Sequence, residues 1–229
     1  MHARGTIAVL GANGRTGSAV VAALLAAGYA VKAGVHRSAE HVPNQPGVSI
    51  HECNVYNEDQ LANLASGTQA VLSTLGHSRH TGPDVQTAAM RNLVATRTKH
   101  QVRRVISLTG TGVRQPGDEP ELLDLALNTM LGLVAPSRVQ DGIDHAAVLK
   151  TSDFAWTVLR VLILTNGEKQ PFGFTPHGPA MRFVSRATVA EAFVRALGSE
   201  RYIARMPIIS PLEAATVHAE ERATVARPS

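Results

Sequence analysis

Cysteine is nearly missing from this 229-residue chain: Cys53 stands alone. That excludes an internal disulfide, a cysteine-rich metal site and redox chemistry through a cysteine pair, and it agrees with a reducing compartment. Long apolar runs are also missing. No stretch approaches the ~18 residues that a bilayer span needs, and the segment after Met1 turns into a glycine loop instead of a cleavage region, so the expected location is cytoplasmic. Clustered charge is the third absence. A net charge of +4 favours anionic ligands, but lysine and arginine are scattered, with Arg103-Arg104 and Arg201/Arg205 as the close pairs. Nucleic-acid binding therefore has no support in the pattern. No internal repeat or linker divides the chain, and at 44% hydrophobic residues it can bury one sizeable core.

What is present is an alternation. Strand-like runs rich in Val, Ile and Leu at Thr6–Leu10, Ala30–Val35, Val48–His51, Ala70–Thr74 and Arg104–Leu108 alternate with helical segments at Thr16–Ala27, Glu58–Ala65 and Pro83–Lys99. Near-continuous apolar strands separated by helices predict an α/β fold with a doubly wound parallel sheet covered on both faces. Asn57 is placed as an N-cap, with Glu58 and Asp59 behind it, and Pro83 suits a first helical position. A long helical region from Glu121 to Lys150, interrupted at Pro136, leads to a strand over residues 155–164. The stretch "NGEKQPFGFTPHGP" reads as loop or short hairpin. A helix at Arg186–Leu197 and an extended segment at Ile203–Ile209 follow. Residues 1–212 are expected to form one domain, and 213–229 a helical or disordered tail.

The sharpest motif is "IAVLGANGRTG", an apolar strand that runs into Gly11, Gly14 and Gly17 and opens a helix. One glycine permits a tight turn, one lets backbone approach a pyrophosphate, and one allows close helix-to-strand packing. The helix N-terminus then offers main-chain N–H groups and the positive end of its dipole. In a strand-helix-strand context this predicts a dinucleotide site. Proteins that bind the unphosphorylated ribose carry Asp or Glu about 20 residues further on; this chain reads "VKAGVHRS", with no carboxylate before Glu40. Arg37 can make paired charge-assisted bonds to a phosphate, and Arg15 in the loop is a second cation. The cofactor expected is NADP(H). As a solvated loop residue Arg37 would carry no such meaning.

With "AGYAVKAGVHRS", "AVLSTLG", "NLVATRTKHQVRRVISLTGTGV" and "VLKTSDFAWTVLR" following in order, the chain resembles the atypical short-chain dehydrogenase/reductases from about Thr6 to Ile209. The likeness is to the biliverdin-IX beta reductase (flavin reductase) group and its NmrA-like relatives. The resemblance implies a single Rossmann domain with a small C-terminal substrate-covering section, and hydride transfer from NADPH to a small planar acceptor such as a flavin, quinone or tetrapyrrole. By position it implies that Gly11, Asn13, Gly14, Arg15, Thr16 and Gly17 hold the pyrophosphate, and Arg37 and Ser38 the 2'-phosphate. Asn54 and Val55 would flank the adenine, and Thr74, Leu75 and Gly76 would lie along the ribose. Ser107, Leu108 and Thr109 would close the fifth strand beside the nicotinamide, with Thr109 in the place of a serine hydroxyl.

The chain also departs from that pattern. Tyr29, Tyr56 and Tyr202 are followed four positions later by Ala33, Gln60 and Met206, so no Tyr-x-x-x-Lys pair exists to exchange a proton with a carbonyl. "TVLRV" carries Val161 where relatives commonly read Arg-Pro, and Ala146 and Ala147 replace a basic residue found in some relatives. Alcohol or ketone chemistry is disfavoured. A conjugated acceptor needs less help, because contact between two planes does most of the work and the proton can come from water or Thr109. The rival is a non-catalytic NADP(H) sensor that relays occupancy to a partner protein; an isomerase or lyase that retains its cofactor is a third possibility. A homo-oligomer is compatible with either of the first two. His77 and His80 follow the fourth strand, where the ligand crevice is expected, as substrate contacts, proton donors or solvated loop residues. Asp144 and His145 sit on a helix that faces either the site or solvent. Phe154 and Trp156 read as core; Phe172, Phe174 and Phe183 read as core or as an apolar lid.

Overall fold

A computed structural model describes residues 4–216. Six strands form where the β-branched runs lie: β1 (Thr6–Leu10), β2 (Ala30–Val35), β3 (Val48–Glu52), β4 (Ala70–Ser73), β5 (Arg104–Gly110) and β6 (Ala155–Val161). The helices are α1 (Arg15–Ala26), α2 (Glu58–Ala65), α3 (Val85–Ala95), α4 (Arg97–His100), α5 (Leu122–Val134), α6 (Pro136–Lys150) and α7 (Arg186–Leu197). Short strands β7 (Ile163–Thr165), β8 (Gly173–Thr175), β9 (Phe183–Ser185) and β10 (Ile208–Ser210) complete the set. The main sheet has the order β3-β2-β1-β4-β5-β6-β10-β8. Its pairings are parallel except that between β8 and β10.

Strand alternation sorts the core into two layers. Ile7 and Val9 of β1 pack with Val20 and Leu24 of α1 and Val189 and Phe193 of α7. Ala8 and Leu10 point the other way, into Leu61, Leu64, Met90, Leu93 and Leu149 of α2, α3 and α6. Each large aliphatic side chain so buried contributes about 1.5–3 kcal/mol. The connections reverse direction at β1, which pairs with β2 on one side and β4 on the other. The reversal places the C-terminal ends of β1 and β4 at the point where doubly wound sheets take their ligands.

The structure differs from the sequence reading at four points. The helix expected from Pro83 begins at Val85, because its first turn is capped from α6: the Asp141 carboxylate accepts from the Gln86 and Thr87 amides at 3.0 and 2.8 Å. The same helix breaks at Thr96, whose hydroxyl turns back to the Asn92 carbonyl at 2.6 Å. The strand over 155–164 splits, and β7 leaves to pair with β9 in a separate two-stranded sheet. The segment read as loop or hairpin supplies β8, which pairs with the distant β10. Of the expected tail, residues 213–216 continue a helical turn that begins at 212; the rest lies outside the described residues.

Arg160 fixes the C-terminal section onto the sheet. Fully buried, it pairs with Asp118 and donates to the main-chain oxygens of Met206 (2.7 Å) and Pro176 (2.7 Å). One guanidinium thus ties β6 to three separate connections. Burying an ion pair is tolerable when its remaining hydrogen-bonding groups are satisfied, as they are here.

Candidate dinucleotide site

The glycine loop is built by sterics. Gly11 has φ +74°, and a Cβ there would press on Thr74 Oγ1 and Leu75 at 3.3 and 3.4 Å. At Gly17 a Cβ would lie 2.1 Å from the Gly11 carbonyl oxygen and 2.8 Å from Ala12 Cα, so helix α1 can approach the turn only without a side chain. Gly14 is the N-cap of α1; it has no side chain to donate into, and the first turn holds no acidic residue. The amides of Arg15, Thr16 and Gly17 have no intrahelical acceptor and face outward with the dipole's positive end. Asn13 does not offer its side chain to the mouth: its Oδ1 accepts from the His41 amide at 2.7 Å. That bond pins the β2 loop, which carries exposed His36, Arg37 and Ser38, against the glycine loop.

The cations around this mouth lack counterions. Among the described residues Arg15, Arg37 and Arg186 form no ion pair. Arg186 opens α7, donates to Asn166 Oδ1 at 2.7 Å, and leaves its buried Nε without a partner. Its pKa is lowered, first by burial and then by the nearby positive charge of Arg15. Two guanidinium groups near each other, Arg15 at the first position of an uncapped helix and Arg186 with an orphaned N–H, fit a bound phosphate group. Sequence reasoning missed Arg186, although a signal was there: a basic residue at the first position of a helix runs against the dipole.

Thr74, Leu75 and Gly76 follow β4 directly, and the first two meet the glycine loop; Thr74 Oγ1 donates to the Leu10 carbonyl at 2.9 Å. Asn54 accepts from the Tyr56 amide in a turn, and buried Val55 receives Asn92 on its carbonyl. On β5, Leu108 points into the α1–α7 layer, whereas Ser107 and Thr109 face α6. Ser107 is sealed by a 3.1 Å contact to His145 Nε2. Thr109, 7% exposed, lies under Gly142, where a Cβ would come within 2.8 Å of its hydroxyl.

His77 is held in place while partly exposed. Its Nε2 lies 3.1 Å from Asp141 Oδ2 and 3.0 Å from the Pro83 carbonyl. His80 is exposed. His145 is wholly buried, its pKa driven down to about 4 by burial, against a weaker upward pull from Asp141. It is therefore a neutral ring at ordinary pH. Asp144 is bound by Gln140 within its own helix at 2.8 Å. Asp141 links the α3 amides and His77, and no spacing marked it in the sequence.

Phe172 is buried in the core beneath Arg195, whose guanidinium carbon lies 4.0 Å from the ring centroid, which excludes it from a lid. Phe174 packs edge-on against Phe172 and Tyr202 and lines a separate cavity of about 420 Å³ at the β8–β10 edge. Phe183 is exposed on β9, and Phe154 and Trp156 are core. Among the described residues no group of three His, Cys, Asp or Glu side chains could hold a metal ion, and no single helix is long and apolar enough to cross a membrane.

The sequence profile of a family described as NAD(P)H-binding matches residues 11–200. No curated protein sequence matches. Among solved structures, a short-chain dehydrogenase/reductase of wide type from Veillonella parvula, in complex with NADP, is similar at 22% identity and TM-score 0.73, covering 90% of this chain and 94% of the other. A second one from the same organism gives 20%, 0.74, 92% and 95%. An oxidoreductase from Lactococcus lactis gives 18%, 0.74, 94% and 97%. These likenesses establish a shared fold.

Proposed function

The chain belongs to the NAD(P)H-binding family, and on that premise we propose that it is an NADPH-dependent reductase of the short-chain type acting on a planar conjugated acceptor, a flavin, quinone or tetrapyrrole. The observation that carries this reading is the uncapped mouth of α1 with its unpaired cations Arg15 and Arg186, beside a β2 loop that presents Arg37 and Ser38 and no carboxylate. The amides of Arg15 to Gly17 receive the pyrophosphate, and Arg37 and Ser38 take the 2'-phosphate. Asn54 and Val55 flank the adenine; Thr74, Leu75 and Gly76 line the ribose.

The bound dihydronicotinamide supplies a hydride. The chain's own part is to hold the acceptor plane against it and to manage one proton. His77 follows β4 with its Nε2 fixed by Asp141 and Pro83, which leaves Nδ1 as the ring atom that exchanges the proton. Thr109 contributes at the strand end. The test is a panel of FMN, quinones and biliverdin with NADPH and NADH, following nicotinamide absorbance. Turnover on one acceptor with NADPH preferred supports the reading; no binding of either dinucleotide overturns it.

A second reading, an NADP(H) sensor acting on a protein partner, rests on the closure of β5: Ser107 is sealed by His145 and Thr109 lies under Gly142. It predicts tight NADPH binding with no turnover on any acceptor. In either reading the expected location is the cytoplasm.

A further inference from the structure

Helix α5 is turned inside out. Two polar residues point inward: Asp124, 3% exposed, accepts from Thr111 Oγ1 at 3.1 Å and Arg114 Nη2 at 2.9 Å, and Asn128 donates to Thr111 Oγ1 at 3.0 Å. Its apolar residues point to solvent. Leu122 is 85% exposed, Leu133 79%, Val134 72%, Met130 55% and Leu125 44%. A helix on the surface of a monomer shows the opposite arrangement, with polar side chains outward.

We propose that this face is the interface of a homodimer, with α5 of two copies packed antiparallel across a two-fold axis. The argument is the order of side chains. Reversed about the midpoint between Leu127 and Asn128, six outward positions map onto one another: Leu122 meets Leu133, Leu125 meets Met130, and Ala126 meets Thr129, with Val134 set against Glu121 at each end. An isologous interface requires that self-complementarity, and the small central pair lets the helix axes approach closely. Area agrees as well. On α5, Leu122, Leu123, Leu125, Met130, Leu133 and Val134 leave 37–85% of their surface exposed, on the order of 600 Å² together, which is at the upper end of the ~300–600 Å² patch of an ordinary monomer and approaches the ~800 Å² per partner of a standard interface. A membrane surface fits less well, because interfacial helices carry Lys or Arg on their polar face, whereas that of α5 is the buried pair Asp124 and Asn128.

The test is the mass of the full chain by light scattering and sedimentation equilibrium across the micromolar range. The expected result is a dimer, with Leu133→Glu weakening association at least tenfold while its circular dichroism and NADPH affinity match wild type; a glutamate at so exposed a position costs the single copy no packing. A chain carrying both Leu122→Cys and Leu133→Cys is expected to form a covalent dimer on oxidation. Those two positions lie about 16 Å apart along one helix, too far to bridge within a copy, and buried Cys53 serves as the wild-type control. A monomer at every concentration, a dimer indifferent to Leu133→Glu, or a monomer recovered only on anionic vesicles would each overturn the proposal.

Discussion

The carboxylate of Asp141 on α6 reaches the imidazole of His77 at 3.1 Å while accepting from two main-chain amides and the Thr87 hydroxyl at the start of α3. One buried acid therefore caps a helix and orients the ring that follows β4. Asp141→Ala leaves the amides of Gln86 and Thr87 buried without an acceptor, and is expected to destabilise the fold by about 2–4 kcal/mol. Denaturant unfolding measures this, and a midpoint within error of wild type would refute the capping role. His77→Gln, which keeps a donor for Asp141, is expected to preserve the midpoint while slowing turnover on whichever acceptor is reduced.

Phosphate discrimination is the second expectation. Arg37→Ala removes a charge-assisted contact of about 1.5–3 kcal/mol, so NADPH affinity should fall roughly 10- to 100-fold. NADH affinity should stay as it was. Arg186→Ala acts on the shared pyrophosphate end and should weaken both dinucleotides alike. Calorimetric titration of the two variants with both ligands separates the cases: an unchanged NADPH-to-NADH ratio in Arg37→Ala would remove the 2'-phosphate assignment.

Much of this was legible before any coordinates. The strands from Thr6, Ala30, Ala70 and Arg104 begin where the apolar runs begin, because a strand inside a covered sheet needs a largely apolar run that little else imitates, and the half-exposed edge strand from Val48 shows as a shorter, mixed run. Asn57 caps α2 as its position promised, accepting from Asp59 and Gln60. What stayed hidden was long-range pairing. Nothing local could show that Asp141 caps α3 or that β8 pairs with β10 across the covering section. Ser107 and His145 are 38 residues apart, and only the packing of α6 on β5 joins them. Phe172 looked equally fit for a lid or for the core, and Arg195 stacking on it decided for the core. The outward leucines of α5 were passed over because a helical apolar pattern does not say which face meets the protein.

Gly17 offers the most direct steric test. In Gly17→Ala the new methyl would sit 2.1 Å from the Gly11 carbonyl oxygen, a contact that forces α1 away from the turn. Dinucleotide binding is expected to fall below detection, with a stability loss of about 1–3 kcal/mol from overpacking. Gly28→Ala is the control for a glycine outside the loop: no heavy atom lies within 4 Å of its would-be Cβ, and its φ of +85° predicts a modest stability loss with affinity retained. Equal losses of affinity in both variants would show that the loop's close packing is not what the ligand requires.

His145 gives the fold a pH dependence whose sign follows from its burial. Folded, the ring has a pKa of about 4; unfolded, it returns to the ordinary 6.5. Between those values the unfolded chain binds a proton that the folded one refuses, so stability rises with pH across that window. Above pH 6.5 the contribution is complete and flat. As pH falls from there toward 4 it is lost, and the full difference corresponds to about 3 kcal/mol. Urea midpoints measured from pH 4 to 8 in wild type and in His145→Gln check it. The variant should be less stable at neutral pH, since Ser107 loses its fitted partner, and should show a shallower decline on the acid side. Parallel curves for the two proteins would mean that the acid sensitivity lies in the carboxylates, with His145 contributing none of it.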